Sequence, residues 1–121
     1  MRNASILKIS ASLVFCFAAT AAFAHAHLEK AMPAVGGTVA SASEIRLEFS
    51  EGVEPRFSSV ALMGPGGAAV SLGPAKIEAA DQKVLIVPIA KPLAPGAYTV
   101  HWHAVSVDTH HTQGTFEFTV K

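Results

Sequence analysis

Beyond residue 25 the apolar residues of this chain recur at every second position, a period that suits strands and does not suit an amphipathic helix. From Glu44 to Ser50, Ile45, Leu47 and Phe49 alternate with Glu44, Arg46 and Glu48, so one face is set for burial and the other for water. The alternation returns twice near the end. Tyr98, Val100, Trp102 and Ala104 oppose Thr99, His101 and His103, and Phe116, Phe118 and Val120 oppose Thr115, Glu117 and Thr119. Two weaker strands are expected at Ser59 to Met63 and Ala68 to Leu72, joined by the hairpin-type turn Gly64-Pro65-Gly66-Gly67. Val84 to Val87 is a continuous apolar run, as in a strand buried on both faces.

Turn signals separate these segments: Met32-Pro33, Gly36-Gly37, Gly73-Pro74, Ala80-Asp81-Gln82 and Pro92 to Gly96. No stretch holds helical spacing for three turns. About seven short strands in about 100 residues argue for an all-β domain, an antiparallel Greek-key β-sandwich or barrel. Its expected core is Ile45, Leu47, Phe49, Val60, Leu62, Leu85, Val87, Tyr98, Val100, Trp102, Phe116, Phe118 and Val120.

The first 24 residues have the pattern of a secretory signal. Arg2 and Lys8 supply a positive start, Ile9 to Thr20 is apolar and small, and Ala22-Phe23-Ala24 is the small-x-small pattern that signal peptidase reads. Ile9 to Ala24 is sixteen residues, short of the roughly 20 that span a bilayer. Lipid attachment at Cys16 would want a small residue before it, and Phe15 stands there. The expected organisation is a signal peptide over 1–24 and one domain over 25–121, exported to the periplasm. Ala24-His25-Ala26 is also small-x-small, so cleavage after Ala26 is the competing position.

Cleavage after Ala24 changes the chemistry the chain can offer. Removing 24 of 121 residues leaves 97, and losing Arg2, Lys8 and Cys16 leaves seven Lys plus Arg, nine Asp plus Glu and no cysteine. That excludes disulfides and thiolate sites. The mild acidity removes the electrostatic case for nucleic acid, and no membrane insertion of the mature chain is expected. All six histidines, at 25, 27, 101, 103, 110 and 111, remain. There is also no GxSxG motif, and with no mature Cys there is no nucleophile of the usual kind.

A histidine at a chain terminus can chelate one ion through its free amine and its ring Nδ1 together. His25 acquires this property on cleavage after Ala24. Two nitrogens plus a further imidazole make the tetragonal N/O environment that Cu(II) favours. Asp108-Thr109-His110 is the strongest source of further donors, because residues two apart in an extended segment point the same way. His27 offers a rival arrangement, in which the amine, two backbone amides and a third-position imidazole enclose Cu(II). That arrangement needs the first residues to stay out of any strand. His101 and His103 face one way and read either as a two-imidazole site or as wet-face residues. His111 is expected to point away from His110 and into solvent.

The stretch Tyr98 to His110, with Trp102 and Ser106-Val107-Asp108-Thr109-His110, followed by Gly114 and the strand Thr115 to Val120, resembles the CopC family of periplasmic copper-resistance proteins. His25-Ala26-His27-Leu28, Pro33 and Leu47-Glu48-Phe49-Ser50 extend the resemblance over nearly the whole mature chain. It implies a cupredoxin-like β-barrel binding Cu(II) through His25 (amine and ring), Asp108 and His110. It also implies a role in copper homeostasis or resistance, and a CopD-type copper permease of the inner membrane as partner. Some members add a Met-rich Cu(I) site, and soft Cu(I) needs thioether or thiolate donors. Past residue 24 this chain has only Met32 and Met63, and none from Gly64 to Gly73, so it resembles a Cu(II)-only member.

The expectation is therefore a monomeric Cu(II) carrier or buffer without turnover. Two other classes compete: a copper oxidase or monooxygenase using the same histidine brace, as in lytic polysaccharide monooxygenases, and a metal-free β-sandwich interaction module. A carboxylate in the coordination plane favours Cu(II) and opposes redox cycling, and one Trp and one Tyr offer little to a polysaccharide surface.

Overall fold

A computed structural model describes residues 26–121 as two packed β-sheets. The strands are β1 (Leu28–Met32), β2 (Thr38–Val39), β3 (Glu44–Phe49), β4 (Ser59–Met63), β5 (Ala69–Val70), β6 (Lys76–Glu78), β7 (Asp81–Pro88), β8 (Gly96–Val105) and β9 (His111–Val120). One sheet has the order β1-β3-β7-β6 and the other β2-β9-β8-β4-β5. All pairings are antiparallel except β2 with β9, which is parallel. Among the described residues no helix is long and apolar enough to cross a membrane.

The alternating segments become strands for the reason their period suggests. Ile45, Leu47 and Phe49 of β3 are fully buried, and Tyr98, Val100, Ala104, Phe116, Phe118 and Val120 meet them from the opposite sheet. At roughly 1.5–3 kcal/mol for each large side chain fully buried, these rows are the main attraction holding the sheets together. Eleven of the thirteen expected core residues are buried, while Val60 and Trp102 are partly buried and packed against the core. Trp102 meets Phe49 edge to face, with ring centroids 5.2 Å apart. Its indole lies over Gly114, where a Cβ would stand 2.6 Å from a ring carbon. A glycine leads into the last apolar row because the indole occupies the space of a side chain.

The apolar run of β7 is buried on both faces, as its composition predicts: Val84, Leu85, Ile86 and Val87 are all buried. β7 runs between β3 and β6, and Arg46, the register partner of Ile86, reaches Glu78 on β6 with Nη2 to Oε2 at 2.8 Å. The aliphatic stem of Arg46 accompanies the outward apolar residues while its charged end stays paired. The expected strand over Ala68 to Leu72 is shorter, only Ala69–Val70, because the chain leaves β4 through a tight 3₁₀ turn at Pro65–Gly67. The edge strands β2 and β6 have too few residues to show an alternation, and in β1 a register shift between Leu28 and Lys30 breaks it.

Candidate metal centre

β8 and β9 form the longest hairpin, paired residue by residue from Gly96↔Val120 to Val105↔His111. Ser106 to His110 closes it. The closing segment is a turn and not the extended run expected from its sequence, and Thr109 adopts a left-handed backbone with φ of 72°. Ser106 N–H donates to the His110 carbonyl at 3.0 Å and Thr109 N–H to the Ser106 carbonyl at 2.9 Å. The turn is also pinned from outside. Val107 N–H donates to the Gly52 carbonyl, Glu54 N–H to the Val105 carbonyl, and Val105 N–H to Ser58 Oγ.

Within this turn Asp108 and His110 come together as expected, with His110 Nδ1 3.1 Å from Asp108 Oδ2. Ser106, fully buried, donates its hydroxyl to Asp108 Oδ1. That hydroxyl first, and the His110 ring second, hold the Asp108 carboxyl below the ordinary aspartate value, outweighing the opposing effect of burial. The arrangement is an exposed carboxylate kept anionic beside an imidazole, two donors of the type that borderline divalent metals accept. The sequence names Ser106 within the motif but gives it no role; that role follows from its burial, which aims the hydroxyl at Asp108.

His25 lies outside the described residues. Its neighbour Ala26 does not: it is fully buried, and Thr112 Oγ1 donates to its carbonyl at 2.9 Å. His27 is exposed, its backbone N–H donates to Ser50 Oγ at 2.8 Å, and its carbonyl accepts from Ser50 N–H. β1 begins at Leu28. The start of the described chain is thus tied down beside β9, two residues from His110.

His101 and His103 lie on the outward face of β8, and His101 is exposed. They do not form the pair considered from sequence. His103 instead meets His111, Nε2 to Nδ1 at 3.1 Å. His111 is exposed, as expected, but it is engaged. Among the described residues no group of three or more His, Cys, Asp or Glu side chains gathers at a single point.

An all-β sandwich that displays a carboxylate and an imidazole on the closing turn of its longest hairpin belongs with the metal-binding β-sandwiches. Comparison with known proteins narrows this class. The family model described as CopC domain matches residues 28–121, and the chain belongs to the CopC family, a copper-binding family of copper resistance proteins. It is 50% identical over 100 residues to Protein YobA of Escherichia coli (strain K12), covering 82% of this chain and 81% of that one. It is 36% identical over 122 residues to Copper resistance protein C of Xanthomonas campestris pv. juglandis, covering 97% and 93%. Among solved structures, PcoC, a methionine-rich copper resistance protein from Escherichia coli, superposes with a TM-score of 0.75 at 35% identity over 81% of this chain and 100% of that one. CopC from Methylosinus trichosporium OB3b gives 0.74 at 35% identity, covering 80% and 94%.

Proposed function

We propose that the chain is a periplasmic Cu(II) carrier or buffer that binds one ion through the His25 amine and ring, Asp108 and His110, and acts by binding and release without turnover. The observation that carries this reading is the Thr112–Ala26 hydrogen bond. Covalent geometry keeps the Cα of residue 25 about 3.8 Å from that of Ala26, and Ala26 is fixed to the strand that follows His110. This supports a reading in which a terminal amine at residue 25 would approach the end of the hairpin that carries Asp108 and His110.

The same geometry favours cleavage after Ala24. A chain beginning at His27 would lose a fully buried residue and the carbonyl that Thr112 binds. It also counts against a chelate built from the first three residues, His25 to His27. That chelate deprotonates the His27 amide, which here donates to Ser50. His27 is left as an additional ligand or as an outer partner to the metal.

The donor set is nitrogen and oxygen, which suits Cu(II). Met32 on β1 and Met63 on β4 lie in different sheets, so the thioethers that Cu(I) wants are not assembled. This contrasts with the relative described as methionine rich. In this reading the protein is a monomer that exchanges copper with a CopD-type permease of the inner membrane.

Electron paramagnetic resonance of the Cu(II) form tests the site. The chain beginning at His25 should give one tight axial signal. His110→Ala and a version with one extra N-terminal Gly should each alter it and lower the affinity by at least about 100-fold, since even outer partners of a metal ligand typically contribute 10–100-fold. An unaltered spectrum in both would refute the assignment.

A further inference from the structure

The β8–β9 hairpin carries a second pair of imidazoles that the copper site does not use. His103 and His111 stand on the outward face of the five-stranded sheet, away from Val100, Ala104 and Phe116. Register places Val105 opposite His111 and His103 opposite Gln113. The two histidines are therefore diagonal neighbours on adjacent strands, a relation that brings long side chains into reach. Their rings tilt at 41° with centroids 5.1 Å apart, and His111 Nδ1 lies 3.1 Å from His103 Nε2.

We propose that His103 Nε2 and His111 Nδ1 form a second, exchangeable site for a borderline divalent cation, Cu(II), Ni(II) or Zn(II). Imidazole nitrogens bind such ions at about 2.0–2.1 Å, so two nitrogens 3.1 Å apart subtend roughly 100° at a common ion. That angle falls between the square-planar and tetrahedral values. The nitrogen that donates in the free protein passes its proton to the other nitrogen of its ring, and each ring turns by roughly 40° so that both lone pairs meet at one point. His111 is exposed and His103 half-buried, so the rings have room to turn.

Among the described residues no third His, Cys, Asp or Glu joins the pair. Water fills the remaining positions, and the ion binds more weakly and exchanges faster than in a site with more protein ligands. His111 follows His110 directly in the chain. The pair rests on its own geometry and stands whether or not His25 binds copper.

The test is a Cu(II) titration of the chain beginning at His25, followed by electron paramagnetic resonance through two equivalents. The expected result is a second, weaker equivalent with its own signal. His103→Gln and His111→Gln should each abolish it and keep the first, while His101→Gln keeps both. His110→Ala should perturb the first equivalent and leave the second, which separates failure of this site from failure of the primary one. Unchanged melting temperatures of the metal-free variants confirm that they fold. A parent chain that takes up a single equivalent, or a second equivalent that survives in His103→Gln and His111→Gln, would overturn the proposal.

Discussion

The β8–β9 hairpin holds two histidine pairings, built by different means. On the sheet face, His103 and His111 are brought together by strand register alone, and the partners above and below them are set by the same ladder. In the closing turn, Asp108 and His110 are brought together by local hydrogen bonds around the buried Ser106 hydroxyl and a left-handed Thr109. The first arrangement inherits the stability of the sandwich. The second depends on a few polar contacts that can be removed one at a time, which is where a site can be tuned without unfolding its scaffold.

Damage to the sandwich core should abolish this distinction. Phe49→Ala removes a fully buried ring and the edge-to-face partner of Trp102. The expected loss is about 3–5 kcal/mol of stability, read as a lower denaturation midpoint with altered Trp emission, and both histidine pairings should fail together in the unfolded fraction. A smaller and more selective effect is expected for Ser106→Ala. Cu(II) affinity should fall about 10–100-fold, as for other groups that orient a metal ligand, while the His103–His111 pair is unaffected. Equal weakening of both sites in a titration would show that the turn is not independently built.

The smallest effect concerns protons. The Asp108 carboxyl is held below its ordinary value in the folded chain, by Ser106 first and His110 second. Its contribution to stability is therefore fully present above the unfolded value of about 3.9 and is lost as pH falls through the lower folded value. The difference in melting temperature between the parent chain and Asp108→Asn, measured without metal, should shrink as pH drops below about 4. No shrinkage would indicate that the hydroxyl contact does not favour the carboxylate. As pH falls, metal binding itself should weaken before this range is reached, because the amine and imidazoles must be deprotonated to ligate.

What could be read in advance follows the same division. Alternation in β3, β8 and β9 predicts which residues meet in the core, because burial is a property of every second residue and needs no partner strand to be known. The both-faces burial of β7 was legible for a similar reason. The His103–His111 pair was not, since it depends on where the hairpin closes. A five-residue turn at Ser106 to His110 sets Val105 against His111, and only then are the two rings neighbours. The turn was legible in its members but not in its shape. Asp108 and His110 were expected to converge along an extended run, and they converge around a bend held by a serine whose role appears only in three dimensions. β2 and β6 are too short to carry a period, and β1 is interrupted by a register shift between Leu28 and Lys30.

The bond from Thr112 to the Ala26 carbonyl makes strand β9 a gauge for how much chain precedes it. Every strand lies at or beyond Leu28, so a product trimmed one residue too early or too late at its start would still assemble the whole sandwich. Such a product would be folded and yet, in the proposed role, would present a misplaced terminal amine to Asp108 and His110. In the proposed role, correct maturation is therefore reported by metal loading and not by stability, and the enzyme that trims the chain acts as the last step in building the site.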